Sequence, residues 1–346
     1  MTRAVHPGAA ALLLVAAAGC PAGPSAADAS GAAAREPDAR GAAERAFAIE
    51  YTGRLAGLTA GDDVRLWIPL PRDDPWQRIG EVTVEAPWPW RETRDPVHGN
   101  RILYLEGPAP GAAAEVVARY EVERWERRTD PASVAADGVE DDPAVGRYLA
   151  PGRLATPTAR VEGEAARLAE GAAGTLAKGR AFYDHVLAVM SYDKSGEGWG
   201  RGDVAFACEV GKGNCTDYHA YFMSLCAAAG VASRFQIGIF GRYQPADAPY
   251  ATGGYHCWAE FRVPGKGWVP VDISEADKDP ARTEALFGGH TANRVTLSTG
   301  RDLVLEPAQA GAPLNFFVDP YAEVGGASHA GVAKEVVWTD RAAGVD

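Results

Sequence analysis

The stretch GKGNCTDYHAYFMSLCAAAG, residues 211–230, constrains this chain more than any other. Asn214 is a strong N-cap, which makes Cys215 the first helical residue and Asp217 the third, a variant of the capping box. Tyr218, Tyr221, Phe222, Leu225, Cys226 and Ala229 recur at the spacing of one helix face, and Gly230 closes the helix. The expectation is an amphipathic helix with a cysteine at its mouth, bordering the apolar stripe. Unpaired N–H groups and the positive end of the helix dipole favour a thiolate there. Cys226 lies on the stripe itself and reads as core.

A cysteine nucleophile needs a base within reach. YHCWAEFRVPGKGWVPVDIS, residues 255–274, reads as a β-hairpin turning at PGKG. Alternation puts His256, Trp258, Glu260 and Arg262 on one face. If Arg262 pairs with Trp268, Trp258 lies opposite Asp272 and His256 is its diagonal neighbour. A slip of one residue would put His256 and Asp272 on opposite faces. The candidate catalytic residues are therefore Cys215, His256 and Asp272, as nucleophile, base and orienting carboxylate. Trp199, in the glycine-rich loop YDKSGEGWGRGD, reads as a packing or lid residue before an oxyanion donor.

GNCTDYHAYFMSLCAAAGVASRF, YHCWAEF and GWVPVDIS resemble the three motif blocks of the transglutaminase-like superfamily of papain-like fold. The resemblance implies an α+β papain-like core, with the cysteine-bearing helix packed on an antiparallel sheet, preceded by a β-sandwich-like domain. It implies that Cys215 attacks an amide or peptide carbonyl to form a thioester, which water or an amine resolves. Hydrolysis is favoured over crosslinking, since no amine-acceptor site is legible. The alternative is a non-catalytic envelope binding or scaffold module that keeps the fold. Asn293 and Arg294, in GGHTANRV, match a block of the same family without a role that the sequence supplies.

The ends of the chain speak to location. MTRAVHPGAAALLLVAAAGC combines a short basic start with an apolar run too short to span a bilayer, the layout of an export signal. Ala-Ala-Gly-Cys resembles a lipobox, with Cys20 as the lipidated residue and plain secretion as the alternative. Residues 1–20 are thus read as signal and lipobox, and 21–43, low-complexity Ala/Gly/Pro/Ser, as a flexible tether. A β-rich N-terminal domain follows at 44–130, a connecting segment at 131–175, the catalytic domain at 176–300 and a strand-containing extension at 301–346. AFAIEYTGRL, DVRLWIPLP, IGEVTVEAP, NRILYLEG and AEVVARYEVERWER supply the alternating runs of the first of these. Two helices are expected between about Val161 and Tyr192, the second burying Ala181, Phe182, His185, Val186 and Val189.

A net charge of −12, with no basic stripe, excludes nucleic acid as a partner. The expected partner is a protein or peptide substrate, and the expected contact with a membrane is the lipid anchor alone. No cofactor or metal is called for. Cys215 and His219 stand four apart on the helix, but no C-x2-C pair supports zinc, and His219 reads as a hydrogen-bonded helix histidine. Asp277 and Asp279 read as solvated turn residues and His290 as a loop residue. Cys208 and Cys257 are either unpaired core thiols or, given export, a disulfide.

Overall fold

The computed structural model describes Met1 and residues 44–129, 137–140 and 142–341. Residues from 44 onward belong to one compact unit, Arg40–Asp346. Apart from Met1, the expected export signal, Cys20 and the expected tether lie outside the described residues.

Along the first part of the chain run β1 (Arg45–Ala56), β2 (Asp63–Leu70), β3 (Gln77–Ile79), β4 (Thr83–Glu85), β5 (Trp90–Arg94), β6 (Arg101–Pro108), β7 (Ala113–Arg124) and β8 (Arg127–Arg128). Then come α1 (Ala159–Ala169), α2 (Thr175–Val189), β9 (Ser191–Tyr192), α3 (Val204–Val210), β10 (Lys212–Gly213) and α4 (Cys215–Ala228). The hairpin region holds β11 (Ser233–Phe240), β12 (Tyr250–Ala251), β13 (His256–Val263), β14 (Gly267–Val271), α5 (Ile273–Lys278) and α6 (Thr283–Leu286). The chain continues through β15 (Gly289–His290), β16 (Arg294–Thr299), β17 (Tyr321–Val324), β18 (Ala327–Ser328) and β19 (Val332–Arg341).

Two sheets make a sandwich: β12-β19-β1-β7-β3, with β4 also on β7, and β18-β17-β2-β6-β5. Their inner faces share one core, Phe47, Ile49 and Tyr51 from the first meeting Val64, Leu66 and Ile68 from the second. In β7, Val116, Ala118, Tyr120 and Val122 are buried and Glu121 and Glu123 are not, the alternation of a half-buried strand. The last strand, β19, pairs with β1 along its length, so the two ends of the folded body lie side by side in one sheet. Pro69 falls near the end of β2, beyond the stretch that β17 covers, so its missing N–H costs no bond to that neighbour. The IGEVTVEAP run supplies β4 and only the last residue of β3, both on β7, and β5 has no counterpart in the apolar pattern because almost all of it is exposed.

A third sheet, β14-β13-β11-β16, is antiparallel and carries α4 against it. Helix α4 departs from the amphipathic expectation. Every residue from Cys215 to Cys226 is buried, because α1, α2, α3 and α5 pack around the sides that the sheet leaves open. Gly230 has φ +69° and ends the helix, as its position predicts. In α2 the buried stripe is Gly179, Phe182, Tyr183 and Val186, while Val189 is exposed at the end of the helix.

Gly238 is where β11 shifts register against β16. A Cβ there would lie 1.9 Å from the Val295 carbonyl oxygen, so the two backbones must part to admit any side chain. Gly238→Ala is expected to cost about 2–3 kcal/mol. Denaturant unfolding checks this, and an unchanged midpoint would show that the strands have room to yield.

Candidate active site

The site is assembled from the N-termini of two helices and the start of one strand. Asn214 caps α4, its Oδ1 accepting the Thr216 N–H at 2.9 Å. Asp217 returns the favour by accepting the Asn214 N–H at 2.9 Å, which closes the capping box. The same carboxylate also accepts the N–H groups of Gly200 at 2.7 Å and Gly202 at 3.0 Å. Asp217 therefore ties the glycine-rich loop to the helix mouth that presents Cys215. Within that loop the Trp199 indole N–H donates to the Gly196 carbonyl at 3.2 Å, so it is already engaged. The Cys215 N–H, at the first helical position, has no carbonyl one turn back within the helix.

The hairpin register is the one the sequence predicts, with Arg262 opposite Trp268 and Ala259 opposite Val271. It brings the His256 Nε2 within 2.9 Å of Asp272 Oδ2. A carboxylate only accepts, so Nε2 carries the hydrogen and Nδ1 is the nitrogen left to exchange a proton, and Cys215 and His256 each shift the other's ionisation. Asp272 is itself the N-cap of α5, its Oδ1 accepting the Glu275 N–H at 3.3 Å. The His256 ring rests against Phe240, centroids 4.7 Å apart. All three groups are buried: Cys215 is 2% exposed, His256 4% and Asp272 0%.

Burial disfavours both charges of such a pair, yet their mutual attraction wins. For Cys215, burial works against the thiolate, but hydrogen bonds from Cys257 and His256 and the His256 charge hold the thiol well below its ordinary range. For His256, burial again opposes, and the Asp272 charge and hydrogen bond together with Cys215 raise it to about 9. Asp272, also penalised by burial, is held well below the usual carboxylate range by His256 and Arg294. Both directions favour a thiolate–imidazolium pair backed by a carboxylate.

Two further groups surround this pair: His219, a hydrogen-bonded helix histidine as its sequence context predicts, and Arg294, to which the sequence gives no role. His219 accepts the Ile273 N–H at Nε2, 3.1 Å, which places its own hydrogen on Nδ1, and Nδ1 donates to the Cys215 carbonyl at 2.7 Å. It is a strut between the nucleophile's helix and the segment that carries Asp272. Both ring nitrogens are thereby occupied within the protein. Its spacing from Cys215 was the only signal. Arg294, fully buried, donates to Asp272 Oδ2 at 3.0 Å from β16, on the far side of β11 from the hairpin, and nothing local in the sequence announces that contact. Tyr255 is half-buried with its hydroxyl 3.2 Å from Asn214 Nδ2, and Trp258 is core, its N–H donating to Gln236.

The remaining expectations divide. Cys208, Cys215, Cys226 and Cys257 are all free thiols, which resolves the open alternative against a Cys208–Cys257 disulfide. Cys257 instead lies beside the site, its Sγ 3.7 Å from Thr216 Oγ1 and 3.8 Å from His219 Nδ1. His290 is not a loop residue: it pairs with Arg127 in a short buried ladder. Asp277 is not simply solvated, since it lies in α5 and accepts the Tyr192 N–H at 2.9 Å. Among the described residues no cluster of three or more His, Cys, Asp or Glu side chains could hold a metal ion, and no helix is long and apolar enough to cross a membrane.

Burial sets a pH dependence at the strut. His219 is pushed from 6.5 down to about 4, chiefly by burial. The unfolded chain therefore binds more protons between those values, and stability falls as pH drops through that window, by about 3 kcal/mol for this group. Denaturant unfolding at several pH values is expected to show His219→Gln losing less stability than the native chain across it. Equal losses would mean that His219 is charged in the folded state.

The description of the transglutaminase-like superfamily core matches residues 163–273, a span that contains Cys215, His256 and Asp272. Over this segment the chain is similar to the transglutaminase-like superfamily. An uncharacterised protein of Haemophilus influenzae is 28% identical over 301 residues, covering 75% of this chain and 80% of its own length. The solved structure of a candidate cysteine protease from Cytophaga hutchinsonii is similar in fold, with a TM-score of 0.60 at 14% identity, covering 87% of this chain and 93% of that one. A weaker likeness, TM-score 0.36 at 16% identity, covers 70% of this chain and 91% of the periplasmic domain of TgpA from Pseudomonas aeruginosa. The matched span holds α4 and the strands β11, β13 and β14 of the sheet it packs on, while β16 and most of the two sandwich sheets lie outside it.

Proposed function

We propose that this chain is an exported thiol enzyme that acts on amide bonds of a protein or peptide substrate through Cys215, His256 and Asp272. The observation that carries the reading is the buried His256 ring, hydrogen-bonded at Nε2 to the Asp272 carboxylate, 2.9 Å away, and coupled in its ionisation to the buried Cys215 thiol. The Cys215 thiolate attacks the carbonyl carbon, a C–S bond forms, and the Cys215 N–H receives the oxyanion. The tetrahedral adduct collapses with C–N cleavage, and imidazolium Nδ1–H gives its proton to the departing amine. The resulting thioester is resolved when neutral His256 takes a proton from water and the hydroxide so formed displaces the thiolate. Asp272 keeps the ring oriented throughout. No cofactor enters the scheme. The lipobox-like sequence ending at Cys20 supports a lipid-anchored location in the cell envelope.

Incubation with dimethylated casein and a fluorescent primary amine tests the reading. Release of ammonia or new amino termini without amine incorporation is expected. Amine incorporation in excess of hydrolysis would make the chain a crosslinking enzyme instead. One observation favours a second reading, a non-catalytic envelope module: Cys215 is only 2% exposed. Such a module predicts a thiol that small alkylating reagents reach no faster than an ordinary buried cysteine.

A further inference from the structure

We infer that Arg294 is a positioning residue that sets the basicity of His256 by sharing the oxygen of Asp272 that holds the ring. The inference rests on the proposed thiol mechanism and adds to it a group on a strand outside the three motif blocks. Asp272 Oδ2 receives two donors, His256 Nε2 at 2.9 Å and Arg294 at 3.0 Å. The guanidinium is fully buried, its other amino nitrogen is 3.3 Å from Thr291 Oγ1, and it stacks between Phe240 and Trp258, at 5.1 Å and 4.8 Å from their centroids. Phe240 is also the ring on which His256 rests, 4.7 Å away. Arginine and histidine thus share one wall and one carboxylate oxygen.

The chemistry gives this sharing a purpose. A buried carboxylate facing only an imidazolium holds its proton tightly, and a general acid must release that proton to the departing amine. Arginine keeps its charge in proteins, so a guanidinium on the same oxygen neutralises part of the attraction. It also fixes the direction of the oxygen, because Thr291 and the two rings hold the fork in place. His256 is still raised, to about 9, so the carboxylate is weakened as a partner and not cancelled.

The other charged or titratable groups around the trio stay constant in the test. His256 faces Cys215 and His219 from α4 and Glu275 from α5. Asp272 also faces Tyr183 from α2, Tyr243 beyond β11 and Cys257 of β13. Behind Arg294 lie His290 and Arg124, and Arg127 faces His290 in turn.

The experiment follows the His256 ring by NMR titration in the full chain carrying labelled histidine, together with Cys215 alkylation against pH. Arg294→Met and the milder Arg294→Gln remove the charge, and Arg294→Lys retains it. In either folded neutral variant the His256 midpoint is expected to move up by about one unit or more, and in Arg294→Lys to return towards the native value. A midpoint unchanged or lowered in a folded neutral variant overturns the inference. If His256 in the native chain titrates as an ordinary histidine and Cys215 alkylates as an ordinary thiol, the proposed mechanism itself fails, which is a separate result.

Discussion

Replacing His256 with alanine is expected to slow alkylation of Cys215 near about pH 6.5 by roughly tenfold to a hundredfold. The balance of influences at the thiol sets the size of the effect. Burial is the largest influence on Cys215 and opposes ionisation, and the hydrogen bond and charge of His256 are among the groups that overcome it. Without them the thiol returns to or above the free-cysteine value of about 8.5, leaving roughly one part in a hundred ionised at that pH. A more basic thiolate is more nucleophilic, which sets the lower end of the range. The check is the rate of iodoacetamide labelling, located on Cys215 by peptide mass analysis. Equal rates in the native chain and the variant would remove His256 from the account of Cys215.

The second large effect concerns stability. Asp217→Ala is expected to cost about 4 kcal/mol, because one buried carboxylate accepts the N–H groups of Asn214, Gly200 and Gly202 and all three would be left unpaired. Asp217→Asn, which keeps one acceptor oxygen, should fall between. The loss should be local as well as global, with faster amide exchange at Gly200 and Gly202 than in the sandwich sheets. A cost under about 1 kcal/mol would mean that water or other backbone groups take over these donors. Asp217 thus matters to the site through the backbone it holds, and a carboxylate with three N–H partners is poorly placed to move a proton.

How much of this could be read beforehand depends on where each interaction sits in the chain. Asn214 and Asp217 are three apart and act on the same helix turn, so the capping box was legible. His256 and Asp272 are joined by a short hairpin whose alternation and turn fix the register, so their meeting was legible too. Arg294 reaches Asp272 from β16, which lies beside β11 and not beside the hairpin's second strand, and no local periodicity encodes that order of strands. The spacing of α4 suggested one apolar face, but a helix enclosed by four others and a sheet buries polar residues as well, and Thr216, His219 and Ser224 are all fully covered. Polar residues there satisfied the pattern of an outer face while serving an inner one. β5 escaped notice for the opposite reason: an exposed strand has no buried side to leave a period of two.

The central claim is that Cys215 is held as a thiolate by His256 and Asp272. The most direct test is the pH dependence of Cys215 alkylation in the native chain. The account predicts a rate already near its plateau at about pH 6.5, with the ionisation step well below the free-cysteine value of about 8.5. A rate that climbs with a midpoint at or above that value would contradict it, and would leave the fold with a buried thiol in place of a nucleophile.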